Sequence, residues 1–143
     1  MIKISEKGKE LIRNSEGIGY ESYLCPAKVW TIGYGHTAGV KKGMFITKEQ
    51  ADIYLNEDLL PIESYLTLAD LDLNQNQYDA IASFMFNLGI NAFSKSTLLR
   101  RIKEGDEKEI RKQFALSVHA GTTVLPGLVK RRALETELFF SKE

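Results

Sequence analysis

Cysteine is almost missing from this 143-residue sequence, in which Cys25 stands alone. One thiol cannot close an intrachain disulfide, and two histidines beside it are too few ligands for a structural zinc site. An excess of one charge sign is missing too. Lys plus Arg and Asp plus Glu number 19 each, so no global field draws the chain to nucleic acid. There is no apolar run of about 18 residues, the length a membrane-crossing helix needs. The opening Met1-Ile2-Lys3-Ile4-Ser5-Glu6 has no apolar signal core. Three prolines, no internal repeat and no low-complexity linker leave nothing that divides the chain. These absences together predict cytoplasmic accumulation, with no metal, no cofactor and no nucleic-acid partner.

What is present is the composition of an ordinary globular domain: 43% hydrophobic and 27% charged residues over a length that can bury a sizeable core. Ser5 caps a predicted first helix over residues 6 to 15, with Leu11 and Ile12 turned inward and Gly17 ending it. Residues 18 to 37 lose helical periodicity. Tyr20, Tyr23, Val29, Trp30, Ile32 and Tyr34 stand there among Gly and Pro, which predicts two or three short antiparallel strands. Thr47 followed by Gln50 is a capping-box pattern that opens a long helix through Ala51, Tyr54, Leu55 and Leu59, and Pro61 should kink or interrupt it. Asn74 caps the next helix, which from Tyr78 to Leu88 is apolar nearly all round and so reads as a buried central helix. Further helices are predicted from Ser96 to Glu104, from Asp106 to about Val118 and from about Pro126 to Phe140. The expected class is α+β, with a small sheet lobe and a larger helical lobe around a cleft.

The chemistry concentrates in one stretch. Ser15-Glu16-Gly17 sets a carboxylic acid at the end of the first helix. Cys25 follows nine positions later, and Thr31 six after that, inside Trp30-Thr31-Ile32-Gly33-Tyr34-Gly35-His36-Thr37. Further on come Phe86-Asn87-Leu88-Gly89, Ala92-Phe93, Ser96-Thr97-Leu98 and Leu125-Pro126-Gly127-Leu128-Val129-Lys130-Arg131-Arg132, with Glu135 behind them. In order and spacing these blocks resemble the phage-type lysozymes (endolysins), in the lambdoid branch that carries a Glu/Cys/Thr triad.

The resemblance covers nearly the whole chain and implies a lysozyme-like single domain. Its small N-terminal antiparallel sheet lobe, with the first and linking helices, would span about residues 1–60, and its helical lobe about 61–143. It also implies an N-acetylmuramidase that cuts the β-1,4 bonds of peptidoglycan glycan strands and lyses the host cell. Such an enzyme acts as a monomer on the periplasmic wall after a holin opens the inner membrane. By the same resemblance Glu16 is the acid, Cys25 and Thr31 handle the attacking water, and His36 supports the network. Tyr34, Gly35, Phe86 and Asn87 map to the cleft walls, with Asn87 a donor to a sugar N-acetyl group. One of Lys130, Arg131 and Arg132 is expected to pair with Glu16, Arg131 first by helical register. One departure stands out. Relatives of this branch commonly carry a tryptophan before the closing helix, where this chain reads Phe114-Ala115-Leu116-Ser117-Val118-His119-Ala120-Gly121.

Bland readings compete with these. A Glu is usually a solvated helix residue, a free Cys is often a small core hydrophobe, and a basic run is usually a wet helix face. Glycoside hydrolysis needs an acid for the leaving oxygen and a second group on the opposite face; an unperturbed thiol titrates near 8.5 and is mostly protonated at neutral pH, so it is less available as a base than a carboxylate. Three other functions compete as well: a cysteine hydrolase using Cys25 and His36, a silent peptidoglycan-binding module, and membrane disruption by the C-terminal segment. From Arg111 to Glu143 that segment carries six basic and three acidic residues, so contact of its amphipathic helix with anionic lipid is a secondary expectation.

Overall fold

A computed structural model describes residues 2–120 and 122–142; Gly121, the last residue of the segment that lacks tryptophan, lies outside them. The chain begins with α1 (Glu6–Glu16), whose N-cap Ser5 accepts from the Gly8 N–H and whose C-cap is Gly17. A hairpin follows, β1 (Gly19–Leu24) antiparallel to β2 (Trp30–Gly33). Next come α2 (Lys48–Ala69) and α3 (Gln75–Leu88), both opened by complete capping boxes at Thr47/Gln50 and Asn74/Gln77. The short α4 (Ile90–Ser94), α5 (Thr97–Glu104) and α6 (Glu107–Leu116) complete the middle of the chain. A two-residue hairpin, β3 (His119–Ala120) with β4 (Thr123–Val124), then leads into α7 (Pro126–Phe139).

Helix α3 is the post of the molecule. Nine of its residues are buried, and α1, α2 and α7 all pack on it. Around it one hydrophobic cluster runs from Ile4 and Ile12 through Leu55, Leu59, Ile81, Phe84 and Met85 to Phe114 and Phe139. Where relatives commonly have tryptophan, aromatic volume comes instead from a phenylalanine chain. Phe114 makes edge contacts with Phe84 and with Phe139, each with centroids 5.8 Å apart.

Two expectations need correction. Helix α2 runs unbroken from Lys48 to Ala69 with Pro61 inside it. Pro61 is exposed while Leu55, Leu59, Ile62 and Leu66 are buried on the opposite side. The missing N–H therefore falls on the solvent side of a helix whose two halves rest on one core. The sheet region also uses a partner outside residues 18 to 37: Glu21 bridges to Phe45, and Ser22 N–H donates to the Met44 carbonyl at 2.9 Å. Between Gly19↔Gly33 and Tyr23↔Thr31 the β1–β2 register slips, because the middle of β1 has left β2 to bond this outer segment.

Candidate active site

Helix α1 ends on Glu16, which keeps 20% of its side-chain surface. Gly17 turns the chain out of the helix with a positive φ of 70°, so the carboxyl lies at the junction of α1, the hairpin and α7. From α7 Arg131 reaches back: its Nη1 donates to Glu16 Oε2 at 2.5 Å. The other two basic residues of that run do not reach Glu16; Lys130 is exposed, and Arg132 turns inward.

Behind Arg131 lies a buried charge network. Arg131 Nε donates to Ser83 Oγ and to Glu135 Oε2, each at 3.3 Å, and Nη2 donates to the Ser83 carbonyl at 3.1 Å. Ser83 Oγ donates in turn to Glu135 Oε2 at 2.6 Å. Arg132 Nη1 donates to the other Glu135 oxygen, its Nε to the Ser117 carbonyl at 2.9 Å, and its guanidinium lies 4.8 Å from the Phe84 ring centroid. Two arginines thus face two glutamates, and Glu135 and Ser83 are fully buried. Arg131's charge is shared between Glu16 and Glu135, so it stays compensated even if one of the two carboxylates is neutralised. Arg132 Nη2 also donates to Asn87 Oδ1. That bond occupies the Asn87 carbonyl and leaves its NH2 group facing elsewhere as a donor.

On the other side of Glu16 stands Gly35, at a φ of 77°; a Cβ there would come 3.0 Å from Glu16 Oε1 and 3.6 Å from Phe86 Cε1. Only glycine lets the loop pass between these two side chains. Phe86 is half-buried at that point. Tyr34, placed on the cleft wall by sequence position, turns instead into the core. It is 5% exposed, with the Arg13 guanidinium 6.0 Å from its ring centroid. Tyr34 thereby falls on the same buried side as Ile32, two residues before it. His36 is 6% exposed; its Nδ1 lies 2.8 Å from Asp58 Oδ2, and its ring stacks on Tyr54 at 4.2 Å. The end of the hairpin is thereby tied to α2.

Cys25 sits at the hairpin turn, partly exposed, with its N–H donating to the Val29 carbonyl at 3.0 Å. The surrounding turn, the Val29 backbone above all, favours the thiolate and sets the thiol's pKa below its ordinary range, against the opposing effect of burial. Thr31 is 4% exposed, and its hydroxyl donates to the Val29 carbonyl at 2.9 Å. The structure therefore gathers Cys25 and Thr31 at one end of the hairpin. It gathers Glu16, Gly35, Phe86 and Arg131 at the α1 terminus. No hydrogen bond joins Cys25 to His36 among the described residues, so the cysteine-hydrolase reading lacks its base.

Sequence reasoning missed Ser83, Glu135 as an ion-pair partner, Asp58 and Tyr54. Ser83 carried a usable signal, a small polar residue on a helix otherwise apolar all round.

The sequence pattern of the phage lysozyme family matches residues 13–135. The chain is 46% identical over 143 residues to the endolysin of Acyrthosiphon pisum secondary endosymbiont phage 1, across 96% of this chain and 98% of that one. It is 37% identical over 148 residues to the endolysin of Salmonella phage P22, across 99% of this chain and 100% of the relative. Among solved structures, the muramidase domain of SpmX from Asticaccaulis excentricus superposes with a TM-score of 0.90 at 40% identity, covering 99% of this chain and all of that one.

Proposed function

The chain belongs to the phage lysozyme family, and from that premise we propose how its site performs the reaction. It is a peptidoglycan-lysing endolysin, a glycoside hydrolase of the lysozyme type. The observation that carries the assignment to this site is the carboxyl of Glu16 at the α1 terminus, open on one side and held by Arg131 on the other.

In our reading Glu16 donates its proton to the glycosidic oxygen as the bond from N-acetylmuramic acid C1 to that oxygen breaks. Water attacks C1 from the opposite face and loses its proton toward Cys25, with the Thr31 hydroxyl orienting it. Direct attack by water inverts the anomeric centre. A thiol whose pKa the turn lowers is more often the thiolate, the form that can accept that proton. Arg131 steadies the Glu16 carboxylate left behind, and Asn87 offers its NH2 to an N-acetyl carbonyl. Gly35 and Phe86 shape the wall beside Glu16, Tyr34 supports that wall from the core, and His36 fixes the hairpin to α2. We read this Glu/Cys/Thr set as that of the lambdoid branch.

The whole chain works as one domain and as a monomer, with a sheet lobe of about residues 1–60 and a helical lobe of about 61–143. No helix among the described residues is long and apolar enough to cross a membrane. In our reading the protein accumulates in the cytoplasm and reaches the wall once a holin has opened the inner membrane. Lipid contact through α7 is at most secondary, because Arg131 and Arg132 spend their charges inside.

Mass analysis of the muropeptides released from permeabilised Gram-negative cells tests the reaction. Reducing-end N-acetylmuramic acid is expected; anhydro ends or free peptides would replace it with a transglycosylase or an amidase. Glu16→Gln should fold normally and lose about 100-fold or more in rate, the usual weight of general acid catalysis; more than about a tenth of parental activity would remove Glu16 from that role.

A further inference from the structure

One polar side chain near the catalytic groups has no part in the scheme above. Tyr23 leaves β1 beside Cys25, and its Cα pairs across the hairpin with Thr31, so the two share a sheet face. Its ring does not stand straight off the strand. It lies over Gly19, where an added Cβ would come 2.8 Å from Tyr23 Cε1 and 3.1 Å from Cδ1. Gly19 is three residues past Glu16, so a ring seated on it spans from the turn that holds the thiol to the terminus that holds the acid.

The slip of register between Gly19 and Tyr23 produces this posture. Residues inserted opposite β2 bend the strand and re-aim the side chain at its end, as bulges beside active sites do. Tyr23 is 41% exposed, and its partial burial first, then the charges of Glu16 and Cys25, push the phenol's pKa above its ordinary value. The hydroxyl therefore keeps its proton through the working range, as a donor and not as a base.

We propose that Tyr23 is a saccharide-binding residue of the catalytic centre. Its hydroxyl donates a hydrogen bond to an oxygen of the sugar whose C1 is attacked, and Gly19 with the β1 bulge provides the seat for its ring. The inference rests on the glycoside-hydrolase reading of the site and adds a substrate contact to it.

Purified Gram-negative sacculi and release of reducing ends provide the test, with kcat and KM measured separately and melting temperature followed in parallel. Tyr23→Phe removes only the donor; kcat/KM should fall about tenfold, mainly through KM, the weight of one neutral hydrogen bond made before and during the reaction. Gly19→Ala leaves the phenol intact but displaces the ring, and should lower kcat/KM to a similar extent. The double variant Gly19→Ala/Tyr23→Ala should be no worse than Tyr23→Ala alone, since a seat without an occupant has no further value. Melting temperatures should stay near the parent's, because Tyr23 is 41% exposed and lies outside the hydrophobic core.

Parental kcat/KM in Tyr23→Phe overturns the hydrogen bond, and multiplicative effects of Gly19→Ala and Tyr23→Ala overturn the seat. A melting temperature that falls in step with activity makes Tyr23 a packing residue and overturns the proposal as well. A parent that releases no reducing ends would instead remove the glycosidase reading itself.

Discussion

The two sides of the cleft are held by opposite means. On the helical side, Glu16 meets Arg131, which is locked by Ser83 and Glu135, which is locked in turn by Arg132. Every link behind the acid is buried. On the hairpin side, Cys25 is partly exposed at a turn, with Pro26, Ala27, Lys28 and Val29 all exposed around it. Its environment is made by backbone groups of the turn and one threonine hydroxyl. The acid is thus built into the stability of the protein, and the thiol is not. Damage to the buried links behind Glu16 should unfold the enzyme before it informs on catalysis; damage at Glu16 itself, which lies in front of them, or at Cys25 should alter catalysis and leave the fold alone.

The largest effect that would break this contrast is expected at Glu135. Glu135→Gln leaves two buried guanidinium groups short of compensation, and loss of one partner of a buried ion pair costs about 3–5 kcal/mol. In a domain of this size that lowers the melting temperature by roughly 10 °C or more, measurable by calorimetry. A melting temperature within about 2 °C of the parent would mean the network is not what holds Arg131.

At Cys25 the ledger reverses. Cys25→Ala should melt with the parent and lose most of its lytic rate, whereas Cys25→Asp, which supplies a better base at similar reach, should stay active. If Cys25→Ala clears cells as fast as the parent, the thiol only packs, and Glu16 with Thr31 must carry the reaction.

The smallest effect sharpens the comparison from the hairpin side alone. Because hydrogen bonds favour the thiolate, Cys25 should ionise at lower pH than a free thiol. Its alkylation rate should rise with pH through a midpoint below about 8.5. A midpoint at or above that value would show that burial wins over the turn's donors.

What was legible in the sequence follows the same division. Caps at Ser5, Thr47 and Asn74 could be read because a cap and its partner lie within three residues. The helical register that put Arg131 ahead of its neighbours is local in the same sense. Asp58 opposite His36, and Glu135 beneath Ser83, were illegible as partners, since 22 residues separate the first pair and 52 the second; the pairing of Glu135 with Arg131, one helical turn away, was open to the same local reading as the caps. Pro61 misled because propensity says nothing about which side of a helix faces water. The β1 bulge was hidden because its cause, the 44–46 segment, lies beyond the hairpin. The pairs β3–β4 are too short to carry a periodic signal.

The pairing of Glu16 with Arg131 spans 115 positions of sequence. Synthesis proceeds from the amino terminus, so the acid, the thiol and the threonine are all made long before the residue that steadies the acid. Until α7 has emerged and docked on α3, a growing chain holds Glu16, Cys25 and Thr31 without the helix that pairs with Glu16, and two of its future buried cations do not yet exist. The pairing of Glu16 therefore comes last in the protein's own biogenesis, and a chain released before α7 lacks both the buried ion network and the packing of α7 on α3.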